Sequence, residues 1–168
     1  MNLIKYLLLA IIFLQLECIT MPRKPILIGN SQVYAKKDSL RIRRELYALK
    51  KRNKDLYDLS VDLSHFIQRQ FKKDIIVVMI YRTQGEQNWL YRNSRKYKEQ
   101  KFISPHQMWH AVDIRSRIFT KTEIKQVVDY INEKYDKSNF YRWTAKYHSV
   151  GSGYHFHFQY TKKQSHKK

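Results

Sequence analysis

Cysteine is nearly absent from this 168-residue chain: Cys18 stands alone, so no intrachain disulfide can form and no zinc site can be built from several thiolates. Any metal must be held by histidine and carboxylate. Glycine (4) and proline (3) are also scarce, which excludes collagen-like and Pro/Gly-rich low-complexity chains. Acidic residues are few as well. Fourteen Asp and Glu against 33 Lys and Arg leave a formal charge of +19, which points to an anionic partner such as nucleic acid, anionic lipid or an acidic wall polymer. Hydrophobic residues at 43% exclude a disordered chain and supply one domain's core.

No apolar run is long enough for a comfortable membrane span. The longest, Tyr6 to Leu16 (YLLLAIIFLQL), follows Lys5 and is about half the roughly 20 residues a spanning helix needs. It reads as the apolar region of a secretory signal within residues 1–20, so export to a periplasm or cell wall is expected. Glu17, Cys18 and Ile19 are poor cleavage-site residues. An uncleaved anchor, or a true start at Met21 that gives a soluble phage-type lysin, are the alternatives.

Residues 21–71 read as a basic, extended lead-in followed by helix. From Asp38 to about Phe71 the apolar residues Ile42, Leu46, Leu49, Leu56, Leu59, Leu63 and Ile67 recur mainly at three and four, with Asn53 in the seam. One helix of that length would span about 50 Å, so a break is expected near Lys50–Asp55. Residues 72–168 carry the chemistry. Ile75–Tyr81 (IIVVMIY) reads as a buried strand, and Thr83 with Glu86 has capping-box spacing before a helix reaching about Lys96. Ala111–Arg115 alternates as a strand, Thr122–Tyr135 is helical, and Phe140–Ser149 and Tyr154–Tyr160 form a hairpin about Gly151-Ser152-Gly153. The expected class is α+β, an antiparallel sheet with flanking helices.

In Tyr154-His155-Phe156-His157-Phe158-Gln159-Tyr160, period two puts His155, His157 and Gln159 on one face and the aromatics on the other. His106 lies in a loop and Asp113 on a strand. Two histidines and one carboxylate with an open fourth position form a ligand set for catalytic zinc, which lowers the pKa of water and polarises carbonyl oxygens. His110 reads as structural, and His148 as a residue that could line the cleft. Trp89, Tyr91, Trp109 and Trp143 read as core and cleft walls.

Ser104-x-His106 followed by Ala111-x-Asp113 and a C-terminal His-x-His resembles the signature of the LAS metallopeptidases, which include D-alanyl-D-alanine carboxypeptidases, lysostaphin-type endopeptidases and the hedgehog domain. Tyr81-Arg82-Thr83 with Glu86-Gln87 resembles the carboxypeptidase branch's Tyr-Arg followed by Glu-Gln. Two departures stand out. That family usually has Gly where Trp109 stands, and Tyr154 occupies a position often acidic in the carboxypeptidase branch; the His-x-His form resembles the murein endopeptidases instead. The resemblance implies a hedgehog/DD-peptidase-like fold, Zn2+ held by His106, Asp113 and His157, His155 as catalytic base, and Arg82 as substrate-binding or transition-state arginine. It further implies hydrolysis of peptide bonds in peptidoglycan stem peptides or cross-links, with anionic wall polymers as partners by charge. A monomer is expected, without nucleic acid. Two alternatives remain: a catalytically silent zinc-containing binding module, and a basic nucleic-acid-binding protein, which would leave the His/Asp spacings as coincidence.

Overall fold

A computed structural model describes residues 26–28, 31–35, 39–149 and 153–163. The expected signal or anchor at 1–20, with Cys18, lies outside the described residues.

The helical period from Ser39 to Phe71 resolves into α1 (Ser39–Arg52) and α2 (Lys54–Phe71). The break falls at Asn53, inside the expected window. Its Oδ1 accepts from Leu56 N and caps α2, while its Nδ2 donates to Tyr160 O at 2.8 Å and Trp109 O at 3.2 Å. A buried amide in an apolar seam therefore has a function: it divides the helix and bonds to both ends of the later site region.

Among the described residues six strands form one sheet: β1 (Ile26–Ile28), β2 (Ser31–Ala35), β3 (Ile75–Met79), β4 (Ala111–Arg115), β5 (Ala145–Ser149) and β6 (Tyr154–Gln159), in the order β1-β2-β3-β4-β6-β5. From β3 to β5 every pairing is antiparallel, as expected. The extended lead-in departs from that pattern. Its strand β2 joins β3 in parallel, a connection that needs a long crossover, and α1 with α2 supply it. The region expected to be a helix from Thr83 to about Lys96 divides into α3 (Gln84–Leu90) and a short α4 (Arg95–Glu99), capped by Thr83 and Ser94 respectively. Helix α5 (Lys121–Tyr135) follows β4. The strand expected over Phe140–Ser149 begins only at Ala145. Ahead of it, residues 140–144 form a loop pinned by side-chain bonds.

Alternation along β4 and β6 separates two faces. Val112, Ile114, Phe156 and Phe158 pack with Leu56, Leu59, Leu63 and Ile67 of α2 and with Val127 and Ile131 of α5 in one hydrophobic cluster. The opposite face carries Asp113, His155 and His157. Among the described residues no helix is long and apolar enough to cross a membrane.

Candidate metal centre

His106 sits on a single 3-10 turn, Pro105–Met108, whose start is fixed by a capping box. Ser104 Oγ accepts from His106 N, and Gln107 Oε1 accepts from Ser104 N. The turn ends at Trp109 with φ +63, a left-handed conformation that suits glycine and is strained for a side chain carrying Cβ. That accounts for the Gly of the resembled signature. Here the indole stacks on Tyr81 with centroids 4.6 Å apart, and the Asn53 amide donates to the Trp109 carbonyl. Packing holds the residue where glycine would sit unaided.

Asp113 lies on β4 opposite His157 on β6 and pairs with Met79 on β3, where the register shifts between Val77 and Met79. The sheet register thus brings Asp113 to His157, and the turn brings His106 to both. One imidazole nitrogen of each histidine and one carboxylate oxygen lie within 4.8 Å of one another, all three residues buried. This group could hold a metal ion.

The hydrogen bonds around the three residues sharpen the case. His106 Nδ1 is 3.0 Å from the Ile80 carbonyl, which can only accept, so Nδ1 carries the proton and Nε2 a lone pair in the neutral ring. That Nε2 is buried and has no hydrogen-bond partner among the described residues, yet it lies 3.2 Å from Asp113 Oδ1. His157 Nε2 is 3.3 Å from Gln159 Oε1, an amide whose nitrogen donates to Trp143 O. His157 Nδ1 lies 2.8 Å from the same Asp113 oxygen, and the tautomer with its proton on Nε2 would turn a lone pair toward it. In that tautomer two nitrogen lone pairs face one carboxylate oxygen and repel unless a proton or a metal ion lies among them. Metal–ligand bonds of about 2.0–2.1 Å place neighbouring tetrahedral ligands roughly 3.3 Å apart, close to the spacing seen. The outer acceptors, Ile80 O and Gln159 Oε1, are of the kind that fix metal-binding tautomers. Burial alone would raise the Asp113 carboxyl, but in the metal-free protein protons shared with His106 and His157 hold it well below the usual range.

His155 joins the group without being a third nitrogen ligand. Its Nδ1 lies 2.7 Å from the Gly153 carbonyl, which leaves Nε2 as an acceptor 3.6 Å from Asp113 Oδ2. Arg82 is buried, and its hydrogen-bond partner among the described residues is Gln87 Oε1 at 3.0 Å, a neutral group. A buried guanidinium without a carboxylate is costly until an anionic or carbonyl oxygen reaches it. Arg82 follows Ile80, whose carbonyl holds His106, by two residues.

His148, expected from the sequence as a residue that could line the cleft, lies beside the histidines of β6. On β5 it pairs with His155, its ring 4.9 Å from that of His155 and 5.5 Å from that of His157. Its Nε2 is buried and unpartnered, and burial, with the neighbouring His157 and His155, pushes its pKa down to about 4. Counting back seven residues across the hairpin places it beside His155. Arg115, paired with His155, and Lys146, paired with His157, give the same face a cationic rim. Trp143 walls the site, its indole 5.7 Å from the His157 ring, whereas Trp89 is 66% exposed and so not a core residue. His110, expected to be structural, is half-buried and bonds through Nδ1 to the Tyr141 hydroxyl at 2.9 Å.

The fold and site therefore define an α+β protein with a buried His-Asp-His group able to hold a metal. No family profile, curated protein or solved structure matches the chain.

Proposed function

We propose that the protein is a zinc metallopeptidase of the LAS type that hydrolyses peptide bonds in peptidoglycan stem peptides or cross-links after export. One observation carries the reading: the buried, unpartnered Nε2 of His106 facing the Asp113 carboxylate that His157 also faces. A set of three protein ligands, one short of a closed structural site, supports a catalytic reading.

His106, Asp113 and His157 would hold the ion, which when bound polarises a carbonyl oxygen and makes water nucleophilic near neutral pH. His155 acts as the base. Gly153 O fixes its proton on Nδ1, so Nε2 takes the proton of the attacking water and returns it to the leaving amine. Arg82 presents its unsatisfied guanidinium donors to the substrate's carbonyl or carboxylate oxygen as charge builds there. Trp143 excludes water from the His157 side. The cationic rim of Arg115 and Lys146 and the overall charge of +19 favour acidic peptides in an anionic wall.

The test is metal analysis of the purified protein followed by digestion of purified sacculi, with fragments identified by mass spectrometry. Stoichiometric zinc and newly freed amino groups are expected, and the fragment masses name the bond cut. Zinc without hydrolysis would make the protein a binding module; absence of any bound metal after zinc loading would reject the reading.

A further inference from the structure

A second concave site lies at the other end of β4 and β6, about 10 Å along the strand from Asp113, since His110 precedes it by three residues. It is a groove of about 690 Å³ lined by Met108, His110, Phe140, Tyr141, Lys162 and Lys163 among others. That volume is in the range of small-ligand and peptide sites. Its walls are fixed in advance. Asn139, fully buried, donates through Nδ2 to Thr144 Oγ1, Trp143 O and Gln159 O, and accepts through Oδ1 from Tyr141 N and Thr161 N. Phe140 N donates to Thr161 O at 2.8 Å, so the loop bearing Phe140 and Tyr141 is tied to the chain leading into Lys162 and Lys163.

The lining combines two chemistries. Met108 and Phe140 expose apolar surface, 42% and 68% respectively. The polar groups are two lysines, a neutral imidazole and the hydroxyl-bearing Tyr141 and Thr161. Lys162 is paired with Asp55 at 2.6 Å, but Lys163 makes only a long 3.4 Å bond to the Lys137 carbonyl. His110, held by Tyr141 through Nδ1, keeps its other ring nitrogen for a ligand. Burial lowers its pKa, so the ring is neutral and does not repel a further cation. Among the described residues no carboxylate lines the groove, Asp55 reaching it only as the partner of Lys162. The loop that forms one wall continues directly into Trp143, which stands against His157.

We propose that this groove is a preformed subsite for an acidic, extended peptide segment: a carboxylate meets Lys163 and His110, the aliphatic part lies on Met108 and Phe140, and the chain runs past Trp143 to the metal centre. The last clause rests on the peptidase reading; the binding itself does not.

The experiment uses the full chain, zinc-loaded and chelator-treated, and a fluorescein-labelled hexapeptide of alternating glutamate and alanine, with a glutamine–alanine counterpart. Fluorescence polarisation should show the acidic peptide binding in both metal states. Lys163→Glu should weaken it by about tenfold or more by placing like charges together, and Phe140→Ala by a few-fold. Lys125→Glu, the same charge change on α5 across the sheet, should leave it within about twofold. Both main variants alter exposed side chains, and circular dichroism confirms their fold. Equal weakening by Lys163→Glu and Lys125→Glu, equal binding of the glutamine peptide, or no binding would each overturn the subsite. Failure of the protein to cleave any peptide would reject the peptidase reading and leave the binding result standing.

Discussion

Phe156 and His157 are neighbours in the chain, yet they belong to different chemistries. Phe156 is fully buried on the helix side, with Phe119 at 5.3 Å and α2 and α5 around it. His157 is also buried, on the other side, among Asp113, Trp143 and His148. Both faces of β6 are buried, but on the helix side Phe156 and Phe158 carry no polar side-chain atoms to satisfy. The polar face leaves nitrogen atoms of His106 and His148 buried without partners, and it gains stability only when something else arrives. Burial alone thus does not mark a core; what distinguishes the two faces is whether hydrogen-bonding capacity is met within the chain.

The largest effect should come from His157→Ala. Bound zinc and hydrolysis should both vanish while the far-ultraviolet spectrum is retained; full metal occupancy, measured by mass spectrometry of the metal, would show the ligand assignment to be wrong. His155→Ala should keep stoichiometric zinc and lose a factor of about 10² to 10⁴ in turnover, the range of general acid–base catalysis. Near-wild-type turnover would move the role of base to His148. Phe156→Ala, one residue along, should do the reverse of both: it should lower stability by about 3–5 kcal/mol in urea unfolding, and the molecules that remain folded should still bind zinc. If that variant instead lost metal selectively, the two faces would not be separable.

The smallest effect sharpens how the polar face is anchored. Arg41 of α1 binds Glu86 at 2.6 Å and Glu45 at 2.7 Å and donates to Tyr81 O, clamping the turn that presents Arg82. The hydrogen bond from Arg41 lowers the Glu86 pKa from 4.5 to about 2, against the opposing effect of burial. A depressed carboxylate contributes stability above its unfolded value and loses it as pH falls through the folded one. Wild type should therefore lose stability between about pH 4.5 and 2 more steeply than Glu86→Gln, which has no proton to take up. Urea midpoints across that range check the difference; parallel curves would mean that the clamp carries no net energy.

Much of this was legible beforehand because it depends on short-range periodicity. The 3.6-residue stripe of α1 and α2, the strand Ala111–Arg115 and the two-face split of Tyr154–Tyr160 follow from which residues recur at which spacing. Capping boxes at Thr83 and Thr120 marked helix starts to within a residue or two. The loop from Phe140 to Thr144 was misread as strand because its aromatic residues have high strand propensity, while the bonds that hold it open come from Asn139, Asn132 and Asp136. The parallel pairing of β2 with β3 was not legible either, since pairing partners across a 40-residue crossover leave no local trace.

The sequence by itself determined that metal chemistry, if present, must use histidine and carboxylate, and it singled out His106, Asp113, His155 and His157 by type and alternation. Only the tertiary structure decided which ring nitrogens face the carboxylate. That choice depends on Ile80 O, Gly153 O and Gln159 Oε1, acceptors positioned by sheet register and by one turn of 3-10 helix. It also brought His148 beside His155 and placed the groove at Lys163 next to the loop of Trp143. The physical reason is range: alternation and capping act over two to four residues, whereas a proton's position on a buried ring depends on whichever acceptor the folded chain delivers to it.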